Sequence, residues 1–519
     1  MKFRLTLLIL LSVTANQLWA QVPEDAIRMS WTAPSGTARN QGIGGAGGSL
    51  GGELTTLFIN PAGLGFYKVP EFVMSPGLSL TKSKGDFRGN STTSDMQSRF
   101  SLGATGFVLP LNSYNPRWKS QVFSIGVNRT ANFNSSVHYS GQNDYSSFSE
   151  AFAEEFAASG LPIDVDLGNA SLTLGTKLAA YTYLIDTLKV NGAYEIVGAP
   201  QHDAILANKD ALLNQERTIT SKGGITEVAI GYGANLEDKF FIGGSIGIPI
   251  VNYTRSSLFR ESDAGNATDK YFDYATYQVD YKASGAGVNA KLGVIFKPTN
   301  LLRVGIAIHS PTVYGLKETT TERIENRVKN LHSPGYTVYS ATSQDLGYSV
   351  PTYRYDLVSP WKFIVSGSYI FGEVADVTKQ KGFVTADIEY VTHRSSKFNS
   401  ANEDDDDSYY KAVNQVVKDS YKGAFNFRVG GEMKFNTFMG RLGFAYYGNP
   451  VKDKELKVSR MNLTGGLGYR NKGIFFDIAY VYSIVKDTDF PYRLYDKANT
   501  FASIKNNAST VVMTVGFKM

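Results

Sequence analysis

The feature that most constrains this chain is a period of two that persists for ten residues or more. From Tyr421 to Phe435 one face carries Tyr421, Gly423, Phe425, Phe427, Val429, Gly431, Met433 and Phe435. The other carries Lys422, Ala424, Asn426, Arg428, Gly430, Glu432 and Lys434. Successive side chains of a strand point to opposite faces, so this is a strand with one apolar and one polar side. Residues 383–392 repeat the pattern, with Val384, Ala386, Ile388 and Tyr390 against Thr385, Asp387 and Glu389. In residues 458–470, Met461, Leu463, Leu467 and Tyr469 oppose Arg460, Asn462, Thr464 and Arg470. A soluble sandwich alternates too, but its strands are shorter. A tilted strand that crosses a bilayer needs about 9–11 residues, and these runs have that length.

The start of the chain is an export signal. Lys2 and Arg4 form a basic region, Leu5 to Val13 an apolar core, and Leu18-Trp19-Ala20 a cleavage site before Gln21. An apolar core of about nine residues is too short for a membrane anchor. No later stretch reaches the ~18 apolar residues of a transmembrane helix. Residues 1–20 are therefore read as a signal peptide. Without any cysteine the chain has no disulfide, no zinc-thiolate site and no acylated lipoprotein anchor. The net charge of +5 is spread out and gives no argument for nucleic acid. The 31 Tyr, 31 Phe and 51 Gly fit β structure with tight turns and aromatic girdles. An exported, alternating chain of this composition predicts an all-β, transmembrane antiparallel barrel in a Gram-negative outer membrane.

One texture runs from residue 71 to 519, without a linker. Short turns fall at 110–119, 236–239, 298–301, 372–382, 434–438 and 470–473. Longer polar connections fall at 83–96, 136–223, 257–274, 321–349, 397–420, 448–456 and 486–506. Short and long alternate, as periplasmic turns and extracellular loops do, and together they separate about fourteen strands. The last strand carries Val511, Met513, Val515 and Phe517 on one face and is expected to close on the first, near residues 71–81. In the longest loop, 136–223, residues 147–159 place Phe148, Phe152 and Phe156 on one helical face. These rings either pack the loop onto the rim or offer an apolar landing surface to a ligand. Residues 171–190 are a second helix candidate.

Ahead of the strands lies Gly42 to Tyr67, a glycine-rich run that ends in Asn60-Pro61-Ala62-Gly63-Leu64. Glycine at this density lets backbone approach backbone closely, and Asn-Pro and Ala-Gly are turn punctuation. Residues 21–70 are therefore read as a plug, or hatch, inside the barrel, with Asn60 to Leu64 its hinge or its terminus. Met29-Ser30-Trp31 offers a small anchoring contact. The run lacks the strand, helix and Gly-Lys-Ser/Thr end of a phosphate-binding loop. The five histidines show no metal-ligand spacing, and no catalytic constellation appears. Neither a cofactor nor an enzyme activity is expected. Glu403 to Asp407 is an acidic run without the spacing of a calcium loop, read as a solvated face. Lys291, Arg428, Arg441, Arg460, Asp387, Glu389, Glu432 and Asp477 are predicted to face the lumen. They either pair with one another and hold the plug, or lend an arginine, such as Arg428, Arg441 or Arg460, to an anionic head group.

The Gly-rich segment ending in Asn60-Pro61-Ala62-Gly63-Leu64, followed by about fourteen strands, resembles the FadL/TodX family. Phrases such as Leu302-Arg303-Val304-Gly305 with His309-Ser310-Pro311, Ser359-Pro360-Trp361-Lys362 and Gly465-Gly466-Leu467-Gly468-Tyr469-Arg470 fit as well. The resemblance implies a monomeric barrel with an N-terminal hatch. It implies passive uptake of hydrophobic compounds, such as long-chain fatty acids or hydrocarbons, with capture by outer loops and lateral release into membrane lipid. A rival expectation is a secretion accessory barrel, like the FadL-related shuttle proteins of type IX secretion, that holds a protein cargo by its loops.

Overall fold

The computed structural model describes residues 23–519 except 113–114, 169, 266–269, 330–334, 349–351, 373–380 and 402–407. The signal peptide, the acidic run and most of the 372–382 turn lie outside the described residues. No helix among the described residues is long and apolar enough to cross a membrane. Fourteen strands do so instead. In order they are β1 (Glu71–Met74 and Pro76–Phe87), β2 (Gln97–Leu102 and Thr105–Leu111) and β3 (Trp118–Asn132 and Ser135–Asn143). Then come β4 (Leu213–Leu236), β5 (Phe240–Asp263), β6 (Phe272–Phe296) and β7 (Leu302–His309 and Val313–Lys329). β8 (Thr352–Val358 and Lys362–Phe371), β9 (Gly382–Val391 and Lys397–Ser400), β10 (Ala424–Phe435) and β11 (Phe438–Tyr447) follow. β12 (Ser459–Asn471), β13 (Ile474–Asp489) and β14 (Ala502–Lys518) complete the wall.

Each strand pairs antiparallel with its sequence neighbour, and β14 returns to β1 with Phe72 opposite Phe517 and Leu78 opposite Val511. Closure removes the free sheet edges that a bilayer cannot solvate. The alternation holds: Phe425, Phe427, Val429, Met433 and Phe435 are exposed on the outer face, while Asn426, Arg428 and Glu432 are buried within. Rings gather at both rims, with Phe438 against Tyr469 at the short-turn end and Tyr390 against Phe425 at the other. This is a transmembrane β-barrel of the outer-membrane kind.

The long connections are shorter than expected because the strands continue beyond the apolar belt. β4 and β5 have 24 residues each, more than twice what a bilayer needs. The expected loop 136–223 therefore shrinks to 144–212. Its first helix is present, α4 (Phe148–Ser159), numbered after α1 (Pro23–Ser30), α2 (Ala38–Gly42) and α3 (Thr56–Ile59) of the N-terminal segment. α4 opens with a capping box between Ser147 and Glu150 and ends at Gly160 in the left-handed region. The second expected helix is only half helical. α5 (Leu174–Tyr181) stops where Tyr183 takes a positive φ of 55°, and Ile185–Val190 is a strand. That strand pairs with Ala193–Gly198 across Asn191-Gly192, both at positive φ. Asn-Gly is the favoured two-residue hairpin turn, and it overrides the helical reading.

Candidate functional site

Residues 23–67 sit inside the barrel and touch its wall through apolar and polar groups: Leu54, Leu57 and Leu64 pack among Val108, Val122 and Ala229, and Trp31 against Ala445 and Tyr447. The α2 guanidinium of Arg39 lies 3.1 Å from Glu432, which also pairs with Arg441 at 2.7 Å; Arg441 in turn meets Asp477 at 2.7 Å. Gly48 N–H donates to Asp387, and Thr464 donates to Gly42 O at 3.0 Å. His309 Nε2 donates to Ile59 O at 2.7 Å. The Arg303 guanidinium stacks over Phe66 at 4.5 Å and donates to Leu50 O. Charged wall residues thus grip the backbone of the glycine-rich stretch.

Asn60 to Leu64 is the most closely fitted part. Asn60 caps a short 3-10 turn, Pro61–Phe66, by accepting from Ala62 N–H at 3.2 Å, and its Nδ2 donates to Gly48 O at 2.6 Å. Asn60, Pro61, Ala62, Gly63 and Leu64 are all buried. The wall is notched to receive them. A Cβ at Gly293 would collide with Asn60 Oδ1, and one at Gly243 with Pro61 O. Only glycine permits that approach.

The barrel ladder breaks off between β2 and β3. β2 and β3 pair from Leu111 opposite Gln121 to Thr105 opposite Val127, and no further. Beyond it, the Gln97–Leu102 segment pairs with β1 alone, and β3 from Asn128 on pairs only with β4. The β3–β4 register shifts by one residue between Ile225 and Thr226, opposite Thr130. Such a bulge bends its strand. The unpaired edge is met from inside by Ser35. Its N–H donates to Arg129 O at 2.9 Å and its hydroxyl lies 2.7 Å from the same oxygen. Asn128 Nδ2 donates to Ser35 O at 2.9 Å. A Cβ on Gly103, on the β2 side, would collide with Gly36 O. The N-terminal segment stands in for the missing rung.

Between this segment and the wall is a cavity of about 90 Å³. Met29, Phe58, Ile59 and Ile364 give it apolar lining; Glu227, Lys291, His309, Lys362, Glu389 and Arg428 give it charge. Lys291 is paired with Glu227. Arg428 is 3.5 Å and 3.6 Å from Glu389 and Asp387, and its Nη2 is buried without a hydrogen bond. The three arginines singled out by sequence thus part company. Arg428 faces the cavity, Arg441 is locked between two carboxylates, and Arg460 stacks on Trp31 of the N-terminal segment at 4.7 Å.

Over the extracellular mouth, α4 and α5 pack against inward side chains of the strand extensions. Phe148, Phe156, Leu174 and Leu178 join Phe259, Phe272, Ala275, Ile324 and Val328 in one apolar cluster. Phe148 and Phe156 are buried, and Phe152 packs edge-on to Tyr277. The rings form a packed interior, not an exposed landing surface. Within the cap, burial pushes the Glu261 carboxyl up to about 8, against the lowering effect of hydrogen bonds from Ser147 and Gln215. Burial likewise raises Glu322 to about 7, opposed by its hydrogen bond from Tyr277.

Sequence reasoning missed Ser35 and the gap. The only trace was the loss of alternation at Gly103-Ala104 and at Asn132-Phe133-Asn134.

No protein-family model matches this sequence, and no curated protein matches it. Solved structures do. A FadL homologue of Pseudomonas aeruginosa superposes with a TM-score of 0.50 at 13% identity, over 93% of this chain and 99% of that one. The toluene transporter TodX of P. putida gives 0.49 at 12% identity, over 95% and 99%. The Ralstonia pickettii toluene transporter TbuX gives 0.46 at 14%, over 93% and 98%. The chain therefore has the fold of a FadL-type outer-membrane barrel.

Proposed function

We propose that this barrel is a passive channel for hydrophobic compounds, among them long-chain fatty acids and aromatic hydrocarbons, gated by residues 21–70 as a hatch. The observation that carries the reading is the unpaired β2–β3 edge, closed from inside by Ser35 and Gly36. A hydrophobic solute gains nothing from an aqueous pore. It gains free energy by leaving sideways into lipid, roughly 25 cal/mol per Å² of apolar surface removed from water. The cavity beside Pro34 is smaller than the ~150 Å³ apolar void known to hold benzene, which supports reading this arrangement as a closed one. Opening requires the 32–37 stretch to leave the gap while Asn60 to Leu64 stay seated as the hinge. Arg428 is the arginine placed to meet a carboxylate head group.

Two of the superposed proteins, TodX and TbuX, are toluene transporters, and the shared fold supports transport over catalysis. The test is uptake of a labelled long-chain fatty acid, and separately of toluene, into proteoliposomes. Saturable uptake that changes in Asn60→Ala and in Gly103→Val carries the proposal. Absence of binding of any lipid or hydrocarbon by a folded barrel sinks it.

A second reading, capture of a protein cargo by the outer loops, draws on exposed rings of the cap and its neighbouring loop, with Tyr194 73% and Tyr495 84% exposed. Cargo that co-purifies with the parent and is lost in Tyr194→Ala/Tyr495→Ala would favour it.

A further inference from the structure

Three lysines on adjacent strands share one height on the outer wall. Lys505 of β14 lies opposite both Lys84 of β1 and Lys486 of β13. All three are exposed. Directly opposed cross-strand residues have Cβ atoms about 5 Å apart, and like charges there are destabilising. One carboxylate is near: Asp86, 3.2 Å from Lys84 on the same strand. Among the described residues, Lys486 and Lys505 form no ion pair. One acid does not neutralise three ammonium groups.

The register also fixes where this cluster stands in the membrane. Phe517 of β14 lies opposite both Phe72 of β1 and Ile474 of β13, near the short-turn rim. From that apolar row to the lysine row is twelve residues on each strand. At about 3.3 Å per residue and a tilt of about 40°, twelve residues rise about 30 Å, the thickness of the hydrocarbon core. Between the rows the outer face is apolar through Leu78 and Leu80 on β1, Tyr480 on β13 and Met513 on β14, and it turns polar one step below the lysines, at Lys82 and Asn507. The lysines therefore stand where outer-leaflet acyl chains end and head groups begin, on the long-loop side.

We propose that Lys84, Lys486 and Lys505 form a binding site for the phosphate of an outer-leaflet glycolipid of the lipid A type. Three flexible ammonium groups on neighbouring strands converge on one anion of compact, multivalent charge. The apolar wall beneath them takes the acyl chains of the same molecule. That continuity favours a lipid-borne phosphate over a free one. The site rests on the membrane-spanning reading but not on what the channel carries, so the lysine variant keeps its uptake of hydrophobic compounds whichever cargo is correct.

The test uses the full barrel in detergent, exchanged with diphosphorylated lipid A, with its dephosphorylated form, or with inorganic phosphate, and read by native mass spectrometry. The parent is expected to retain diphosphorylated lipid A. Lys84→Gln/Lys486→Gln/Lys505→Gln should bind it about a hundredfold more weakly, roughly fivefold per lysine. Replacement of all three by Arg should keep binding. Retained heat-modifiability on gels establishes that each variant is a folded barrel. Equal retention by parent and Gln variant, or equal retention of the dephosphorylated form, overturns the site. Displacement of lipid A by inorganic phosphate at equal concentration overturns the lipid assignment.

Discussion

The cap over the barrel mouth and the N-terminal segment at mid-lumen fill the same tube by opposite means. The cap is a small apolar core, with Phe156 and Leu178 fully buried among inward-facing strand residues. The N-terminal segment is held by ion pairs, by backbone hydrogen bonds and by glycine notches in the wall. Removing the cap exposes contiguous apolar surface, which is costly in proportion to area. Shifting the N-terminal segment breaks several small apolar contacts together with polar ones, and each hydrogen bond contributes only about 1 kcal/mol net. The cap is thus one contiguous apolar core, and the N-terminal segment a set of smaller apolar patches joined by polar contacts.

The sharpest way to break this comparison is to excavate the cap. Phe156→Ala should destabilise it by about 3–5 kcal/mol. Amide exchange across residues 148–181 should accelerate while the barrel stays heat-modifiable. Loss of the barrel as well would show that the cap is not a separate unit.

Next in size is the seat of the segment. In Gly293→Val, side-chain atoms occupy the place of Asn60 Oδ1, and overpacking of this kind costs about 1–3 kcal/mol. Proteolysis within residues 42–67 should then become measurable in the folded barrel. Unchanged resistance would mean that the notch is not what seats the segment.

Titration separates the two regions further. An acid whose folded pKa is raised favours folding fully below its unfolded value and loses that contribution as pH rises. Glu261, raised from 4.5 to about 8, and Glu322, raised from 4.5 to about 7, place the loss between pH 4.5 and 8. The cap should loosen across that window, seen by exchange at residues 148–181. Glu261→Gln should flatten the upper part of the curve. An unchanged profile would remove these carboxyls from the account.

The smallest effect is expected at the gap. Ser35→Ala keeps the backbone bond to Arg129 O and loses the hydroxyl contact, about 1 kcal/mol. Exchange of the residue-35 amide should rise about fivefold. No rise would mean that the hydroxyl adds nothing to the closure.

Much of this was legible because strands report themselves locally. The alternation at Tyr421–Phe435 fixed which side of β10 meets lipid, and Phe425, Val429 and Phe435 are exposed as expected. The alternation of short and long connections counted the strands. The Asn60-Pro61-Ala62-Gly63 phrase marked the buried turn. The loops were less legible. The Asn191-Gly192 hairpin inside an expected helix, and the strand extensions of β4 and β5, depend on pairing partners far away in sequence.

What the sequence determined alone was the class of fold, because period two, strand length and the absence of apolar helices are properties of short stretches. Which arginine faces a cavity, and where the wall is left unpaired, were decided only by tertiary structure. Arg428, Arg441 and Arg460 are alike in sequence pattern; they differ because Glu432 and Asp477 reach one, Trp31 another, and Glu389, Asp387 and a small cavity the third. The β2–β3 gap lies beside a single extra residue in β3, and Ser35 meets its edge from nearly a hundred residues away. Contacts of that kind are set by how the closed wall brings distant segments together, and no local pattern encodes them.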